Sequence, residues 1–330
     1  MRILILGGTS FIGRAIARAL LGRGDVVALY HRGRTEPPEL ARAIHIHGDR
    51  ADLPAHRPEI RRFRPDAVVD TYALTREDAA IAASVVPDGI PAIVLSSQDV
   101  YAAFDGFVSG EACAAVPLRE DAPLRERRHL YRDDPPPGVP ARYEKIDVEE
   151  GWSIRGATVL RLPMVYGPGD PQCREGFVLR RILAGRRAIP VGAGNLLWSR
   201  AHVEDVAAAV VAALGQPAAR GTTINLAEPT TVSIRQWMQQ IASAAEAQID
   251  LVRVAEDALP PDLMLTKAHP QHVLVDTRLA EARLSWAPEP VEARVADSVR
   301  WHLEHRTPAP WTAADAAADD RALRRPHGVT

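Results

Sequence analysis

Lysine is almost missing from this chain of 330 residues: Lys145 and Lys267 are the only two, and every other cationic side chain is arginine. In such an arginine-rich background a surviving lysine draws attention, Lys145 above all. Cysteine is equally scarce, with only Cys113 and Cys173. That excludes a disulfide framework. Neither cysteine has metal-ligand spacing to a histidine, so both read as small hydrophobes and no metal site is expected. No charge of one sign dominates either. A net charge of −2 gives no general electrostatic case for nucleic acid or anionic membrane, and neither is expected as a partner. No apolar run approaches the roughly 20 residues that span a bilayer, and the first apolar segment ends in Gly7-Gly8 rather than a cleavage site. The expected location is cytoplasmic. A hydrophobic share of 46% with 25% charged residues is ordinary for a globular enzyme, and the length suits a main domain with a smaller lobe.

What is present begins at residue 3. Ile3-Leu4-Ile5-Leu6 reads as a buried strand, the glycines break it, and Arg14 to Leu21 continues at helical spacing. A strand passing through a tight glycine turn into a helix aims backbone N–H groups and the positive helix end at one point, which makes a pyrophosphate site. Gly7 permits the turn, Gly8 is expected to keep side chains away from the ligand, and Gly13 lets the helix pack on the strand. Ser10 stands where the pattern G-x-x-G-x-x-G has its middle glycine. Gly7, Thr9, Ser10, Phe11 and Ile12 are the expected cofactor contacts.

Further strands are predicted at Val26–Tyr30, Ile44–His47, Ala67–Asp70, Ile93–Ser96, Ala157–Leu160 and Thr223–Leu226. Helical segments fall between them, giving an α/β chain with a Rossmann-type, doubly wound parallel sheet. Lys145–Trp152 and residues 205–214 read as helices, and Ser233 caps another that runs to Ala245. Residues 1–167 are assigned to the dinucleotide-binding domain, with 196–227 and about 270–280 returning to it. Segments 168–195 and 228–311 are mainly a C-terminal substrate lobe, 103–142 an insertion or cap, and 312–330 a frayed tail.

At the tip of the second strand, an acid normally holds the ribose hydroxyls of NAD, whereas a basic residue accepts the 2′-phosphate of NADP. Here the chain reads Tyr30-His31-Arg32-Gly33-Arg34, so Arg32 favours NADP, with Arg14 as a second charge and NAD as the alternative. A solvated loop arginine is the plainer reading. Asp49 is placed near the adenine amino group or, equally, as a turn cap.

Several segments then carry a resemblance: Leu95-Ser96-Ser97-Gln98-Asp99-Val100-Tyr101, Leu160-Arg161-Leu162-Pro163-Met164-Val165-Tyr166-Gly167, His202-Val203-Glu204-Asp205 and Asn225-Leu226-Ala227. With the opening glycines, the chain resembles the extended short-chain dehydrogenase/reductases, in particular an atypical branch of the NAD-dependent epimerase/dehydratase family. The resemblance implies Ser97 as the hydroxyl that holds a substrate oxygen, a tyrosine acid/base and Lys145 on the nicotinamide ribose, lowering the tyrosine pKa. It also implies cofactor contacts at Leu162 and Pro163, and a homodimer. Plainer roles are a strand-end serine for Ser97 and an i,i+4 pair with Glu149 for Lys145.

Two departures matter. The family spacing Tyr-x-x-x-Lys would put the tyrosine at Ala141, but the chain reads Ala141-Arg142-Tyr143-Glu144-Lys145. Tyr143 joins Ser97 only if it lies on non-helical chain entering the helix, which Pro140 favours; Tyr131 and His129 are the alternatives. The Arg-Asp-aromatic segment that grips a nucleotide-sugar phosphate is replaced by Trp198-Ser199-Arg200. Trp198 offers a stacking surface and Arg200 is left to reach an anionic group. The expected function is NADPH-dependent reduction of a carbonyl on a small metabolite, or the reverse oxidation. The alternatives are a sugar or nucleotide-sugar epimerase/dehydratase with retained NAD(P), and a non-catalytic NAD(P) sensor or RNA-binding protein.

Overall fold

The structure is a computed structural model and describes residues 1–305 and 307–325. Its strands are β1 (Arg2–Leu6), β2 (Val26–His31), β3 (Ile44–His47), β4 (Ala67–Asp70), β5 (Ala92–Ser97), β6 (Thr158–Leu162), β7 (Met164–Tyr166), β8 (Ala188–Val191), β9 (Arg200–His202), β10 (Thr223–Asn225) and β11 (Asp250–Arg253). The helices are α1 (Phe11–Gly22), α2 (Arg57–Phe63), α3 (Arg76–Val85), α4 (Ala102–Ser109), α5 (Lys145–Ser153), α6 (Gly176–Leu183), α7 (Val203–Gly215), α8 (Ile234–Ala244), α9 (Arg278–Leu284), α10 (Val291–Glu304) and α11 (Ala313–Leu323).

Seven strands form one parallel sheet in the order β10-β6-β5-β4-β1-β2-β3. Alternate residues of β1 explain why it lies at the centre. Ile3 and Ile5 enter the core beneath α1 and α7, while Leu4 and Leu6 enter the opposite one with Phe63, Val94 and Trp152. All four are at most 1% exposed, and each buried side chain of this kind contributes about 1.5–3 kcal/mol. The chain leaves β1 towards β2 on one side and returns to β4 on the other. That makes the carboxyl ends of β1 and β4 the crevice where α/β sheets bind ligands.

A third core gathers Met164, Leu179, Ile189, Trp237, Val295 and Ala322. It combines α8, which Ser233 caps as the sequence predicts, with the small β8–β11 and β7–β9 pairs, which the sequence did not announce. The expected tail also differs. Thr312 and Asp315 form a reciprocal cap at the start of α11. Asp319 is wholly buried against Arg181, at 2.9 and 2.8 Å. The alanine-rich composition hid one buried ion pair and one core residue, Ala322. Residues 326–330 lie outside the described ones. Residues 103–109 of the expected 103–142 insertion are helical, and its remainder is mostly turns. Among the described residues no helix is long and apolar enough to cross a membrane.

Candidate active site

The glycine turn opens a cavity of about 500 Å³ lined by Gly7 to Gly13, Tyr30, Arg32, Arg34, Asp49 and Arg50. Gly7 and Gly8 have φ of +100° and +107°, a region costly for any side chain. A Cβ on Gly7 would lie 2.3 Å from the Thr71 hydroxyl, and one on Gly13 would lie 2.7 Å from the Gly8 backbone. The helix and loop therefore approach as expected. Gly8 corrects the expectation: its Cβ would point inward, 2.9 Å from Leu29 Cδ2 and 3.2 Å from Ile5 Cγ2, rather than towards a ligand. Ser10 caps α1 with its hydroxyl uncommitted to the helix, and the first turn carries no acid. Free N–H groups and a positive helix end face a cavity that Thr9, Ser10, Phe11 and Ile12 line, which fits a pyrophosphate.

At the other side of this cavity Arg32 and Arg34 are exposed and line the wall. Arg14 is not with them, because its guanidinium is held by Glu39. Asp49 precedes a 3₁₀ turn but makes no side-chain cap, so it faces the cavity rather than closing a turn. Arg50, which the sequence did not single out, bridges Asp70 at 2.9 and 2.6 Å and the Asp78 carbonyl at 2.7 Å.

The tyrosine spacing is resolved by where α5 begins. Lys145 is its first residue, and Glu144 caps it in an extended conformation, accepting from the Ile146 N–H at 3.1 Å. Tyr143 therefore lies on non-helical chain and escapes the roughly 200° separation that two residues along a helix impose. Its hydroxyl donates to Asp99 Oδ2 at 2.7 Å, and the Ser97 hydroxyl, which accepts the Asp99 N–H at 3.2 Å, pulls weakly against the rise in the phenol's pKa. Tyr131 lies beside it, ring centroids 5.4 Å apart, while the His129 backbone N–H donates to Glu144. Lys145 Nζ donates to the carbonyls of Ala73 at 2.7 Å and Leu95 at 2.9 Å. Its expected partner Glu149 binds Arg161 instead.

The electrostatics run against one expectation. Burial first, and then the Asp99 carboxylate, push the Tyr143 phenol well above its ordinary value of 10.0. The resemblance implies a lowering by Lys145, but burial and the Asp99 carboxylate outweigh it. Burial also raises the Asp99 carboxyl, against the pull of Tyr143, Arg125 and Lys145, and depresses the Lys145 ammonium. Asp99 is the residue that sequence reading missed. It sits inside the quoted segment Ser97-Gln98-Asp99, yet only the fold brings it to a tyrosine 44 positions away.

A buried ion pair fixes this arrangement. Arg125 and Glu144 side chains are fully buried and bonded at 2.9 and 2.6 Å, while Arg125 Nε donates to the Asp99 carbonyl at 2.7 Å. One arginine thus ties the insertion to both Asp99 and the helix start.

Leu162 and Pro163 are buried where β6 ends, with Leu162 in register beside Ser97. Trp198 is half-buried against Phe107, centroids 4.9 Å apart. Arg200 does not reach a ligand from the surface. It is wholly buried, lies over the Trp237 ring at 4.9 Å and stands 3.8 Å from Glu228, itself bonded by Tyr166. Its place on β9, paired with β7, turns it inward.

The NAD dependent epimerase/dehydratase family matches this chain over residues 3–85 and 151–227. In structure it is similar to UDP-glucose 4-epimerase of Thermotoga maritima, with a TM-score of 0.69 at 19% identity, over 93% of this chain and 100% of that one. It is 27% identical over 310 residues to a chloroplast stem-loop binding protein of 41 kDa from Arabidopsis thaliana, covering 87% of this chain and 75% of that protein. The 3-diazoavenalumate denitrifying reductase of a Streptomyces species is 30% identical over 279 residues, covering 80% of this chain and 87% of the reductase. Similarity of that extent, on this fold and this glycine cradle, makes the chain a member of the NAD dependent epimerase/dehydratase family and an NAD(P)-dependent oxidoreductase of the short-chain dehydrogenase/reductase type.

Proposed function

We propose that the protein is an NADPH-dependent reductase of a small metabolite's carbonyl, with Ser97, Tyr143 and Lys145 as its catalytic residues. The observation that carries this reading is the Tyr143 hydroxyl, held on non-helical chain against Asp99, two residues beyond Ser97 at the end of β5. When bound, the nicotinamide supplies the hydride. The Ser97 hydroxyl donates to the substrate oxygen, and Tyr143 gives it the proton that completes the alcohol. Asp99 positions the phenol by accepting its hydrogen bond at 2.7 Å. Lys145 has one N–H beyond the pair given to Ala73 and Leu95, available to a ribose hydroxyl. Arg32 and Arg34 select the 2′-phosphate by charge. Trp198 and the third core, from residues 164 to 323, form the substrate side.

The test is NADPH oxidation over a panel of aldehydes and ketones, with wild-type protein and Tyr143→Phe. Turnover by wild type that the variant loses supports the reading. Cofactor retained through purification would move the assignment to an epimerase or dehydratase. One relative's name favours a second reading, as a stem-loop RNA binder. Stem-loop binding by a chain that oxidises no NADPH would support it. Sedimentation tests the homodimer implied by resemblance.

A further inference from the structure

Outside the catalytic end, one cluster has no assigned role. Parallel pairing of β2 with β3 sets His31 beside His47, and His45 lies two residues earlier on the same face. Glu36, on the loop after β2, folds across them. His31 Nε2 lies 2.8 Å from His45 Nδ1, and His47 Nε2 lies 2.6 Å from Glu36 Oε1. The same carboxylate oxygen stands 3.9 Å from His31 Nε2 and 4.0 Å from His45 Nδ1. All four donor atoms fall within 4.8 Å of one another. Ligands at about 2.0–2.1 Å around a tetrahedral zinc stand about 3.4 Å apart, in the middle of these separations.

We propose that Glu36, His45 and His47, completed by His31, bind a divalent transition-metal ion of the zinc class. Nitrogen and carboxylate donors in this number suit that class rather than magnesium or calcium, which take oxygen ligands. The orientation of His45 supports it: Nε2 faces the Leu40 carbonyl at 3.2 Å, leaving Nδ1 turned towards the cluster. An outer bond to a carbonyl is how metal-bound imidazoles are held. His31 is the ligand that must adjust. Its Nδ1 accepts the Gly33 N–H at 3.1 Å, so its own proton lies on Nε2, towards His45. It joins when that proton moves to Nδ1 and the Gly33 contact opens.

The site adjoins the cofactor cavity. His31, Arg32, Arg34 and Thr35 line its wall, and Glu36 follows directly. A metal would fasten this loop to β3 and hold both arginines in place, so metal and NADPH should each tighten the other's binding. This coupling rests on the proposed NADPH reading; the metal site does not.

The experiment titrates tag-free, chelator-stripped full-length protein with Co²⁺ and Zn²⁺, beside Glu36→Gln and a His45→Ala/His47→Ala double variant. Wild type is expected to show the intense visible bands of tetrahedral Co²⁺ at one equivalent, displaced by Zn²⁺. The double variant should lose them, and Glu36→Gln should weaken binding beyond the roughly 10–100-fold that loss of an outer partner costs. Circular dichroism verifies that both variants fold. Absent bands, or bands unchanged in the double variant, would overturn the site and leave a plain hydrogen-bonded His/Glu cluster. NADPH affinity is then measured with and without one equivalent of Zn²⁺, where about fivefold or more tightening is expected. Metal binding with unchanged NADPH affinity overturns the coupling alone. Failure to bind NADPH under either condition overturns the cofactor reading instead.

Discussion

The two regions of the proposed site are built in opposite ways. At the proposed adenosine end, Arg32 and Arg34 stand exposed on a loop, so the proposed selection of a 2′-phosphate would rest on charge close to water. At the proposed catalytic end, Asp99, Tyr143, Lys145, Arg125 and Glu144 are all less than 9% exposed, and among their side-chain polar atoms Asp99 Oδ1 alone lacks a protein partner. An exposed charge is screened by salt and forgiving of position. A buried network is unforgiving, because each lost partner strands another group away from water. The proposed site therefore should tolerate change in one region and punish it in the other.

The largest effect is expected at the buried pair. Arg125→Ala leaves the buried Glu144 with two backbone N–H bonds and only the half-exposed Arg128, at 3.6 Å, as a charge partner, so stability should fall by about 3 kcal/mol in urea unfolding. A variant as stable as wild type would mean that the two ends do not differ in this way. Next comes Tyr143→Phe, which should lower turnover about 100-fold or more with little change in cofactor affinity. The pH profile sharpens the same point. Because Tyr143 holds its proton to well above 10.0, kcat/KM for reduction should show no phenol limb below about pH 10. A limb near neutrality would show that bound cofactor and Lys145 outweigh Asp99.

Smaller still is Gly8→Ala. With φ at +107° and its Cβ aimed at Leu29, it should lower the melting temperature through a loss of about 1–3 kcal/mol. Normal stability with cofactor binding abolished would place that Cβ against the ligand after all. The smallest effect belongs to the exposed end. Arg32→Ala should weaken NADPH roughly tenfold, from a contact of about 1.5 kcal/mol, and leave NADH unchanged. The difference should shrink as salt is raised. An equal loss for both cofactors would remove the 2′-phosphate from the account.

The parts legible in the sequence are those set by neighbours along the chain. β1, the glycine turn and α1 follow from apolar runs and glycines within 22 residues, and the structure places them there. The helix predicted from Lys145 onward begins at that residue. Arg200 was misread because its burial depends on β9 pairing with β7, which three-residue strands do not advertise. The α11 helix was misread because Asp319 is buried only through Arg181, 138 residues earlier. The role given to Gly8 was wrong for a related reason: φ alone does not say which way a Cβ would point.

By itself, the sequence determined the doubly wound sheet, the cradle at its first turn and the candidate hydroxyl, phenol and ammonium. Periodicity and backbone freedom are local properties, and so is the resemblance its motifs carry. Tertiary structure alone decided that Tyr143 meets Asp99, that Arg125 locks the entry to α5 and that three histidines share one face of β2 and β3. Those outcomes depend on strand register and on which charges water can still reach. Both are settled only when distant segments of the chain are packed together.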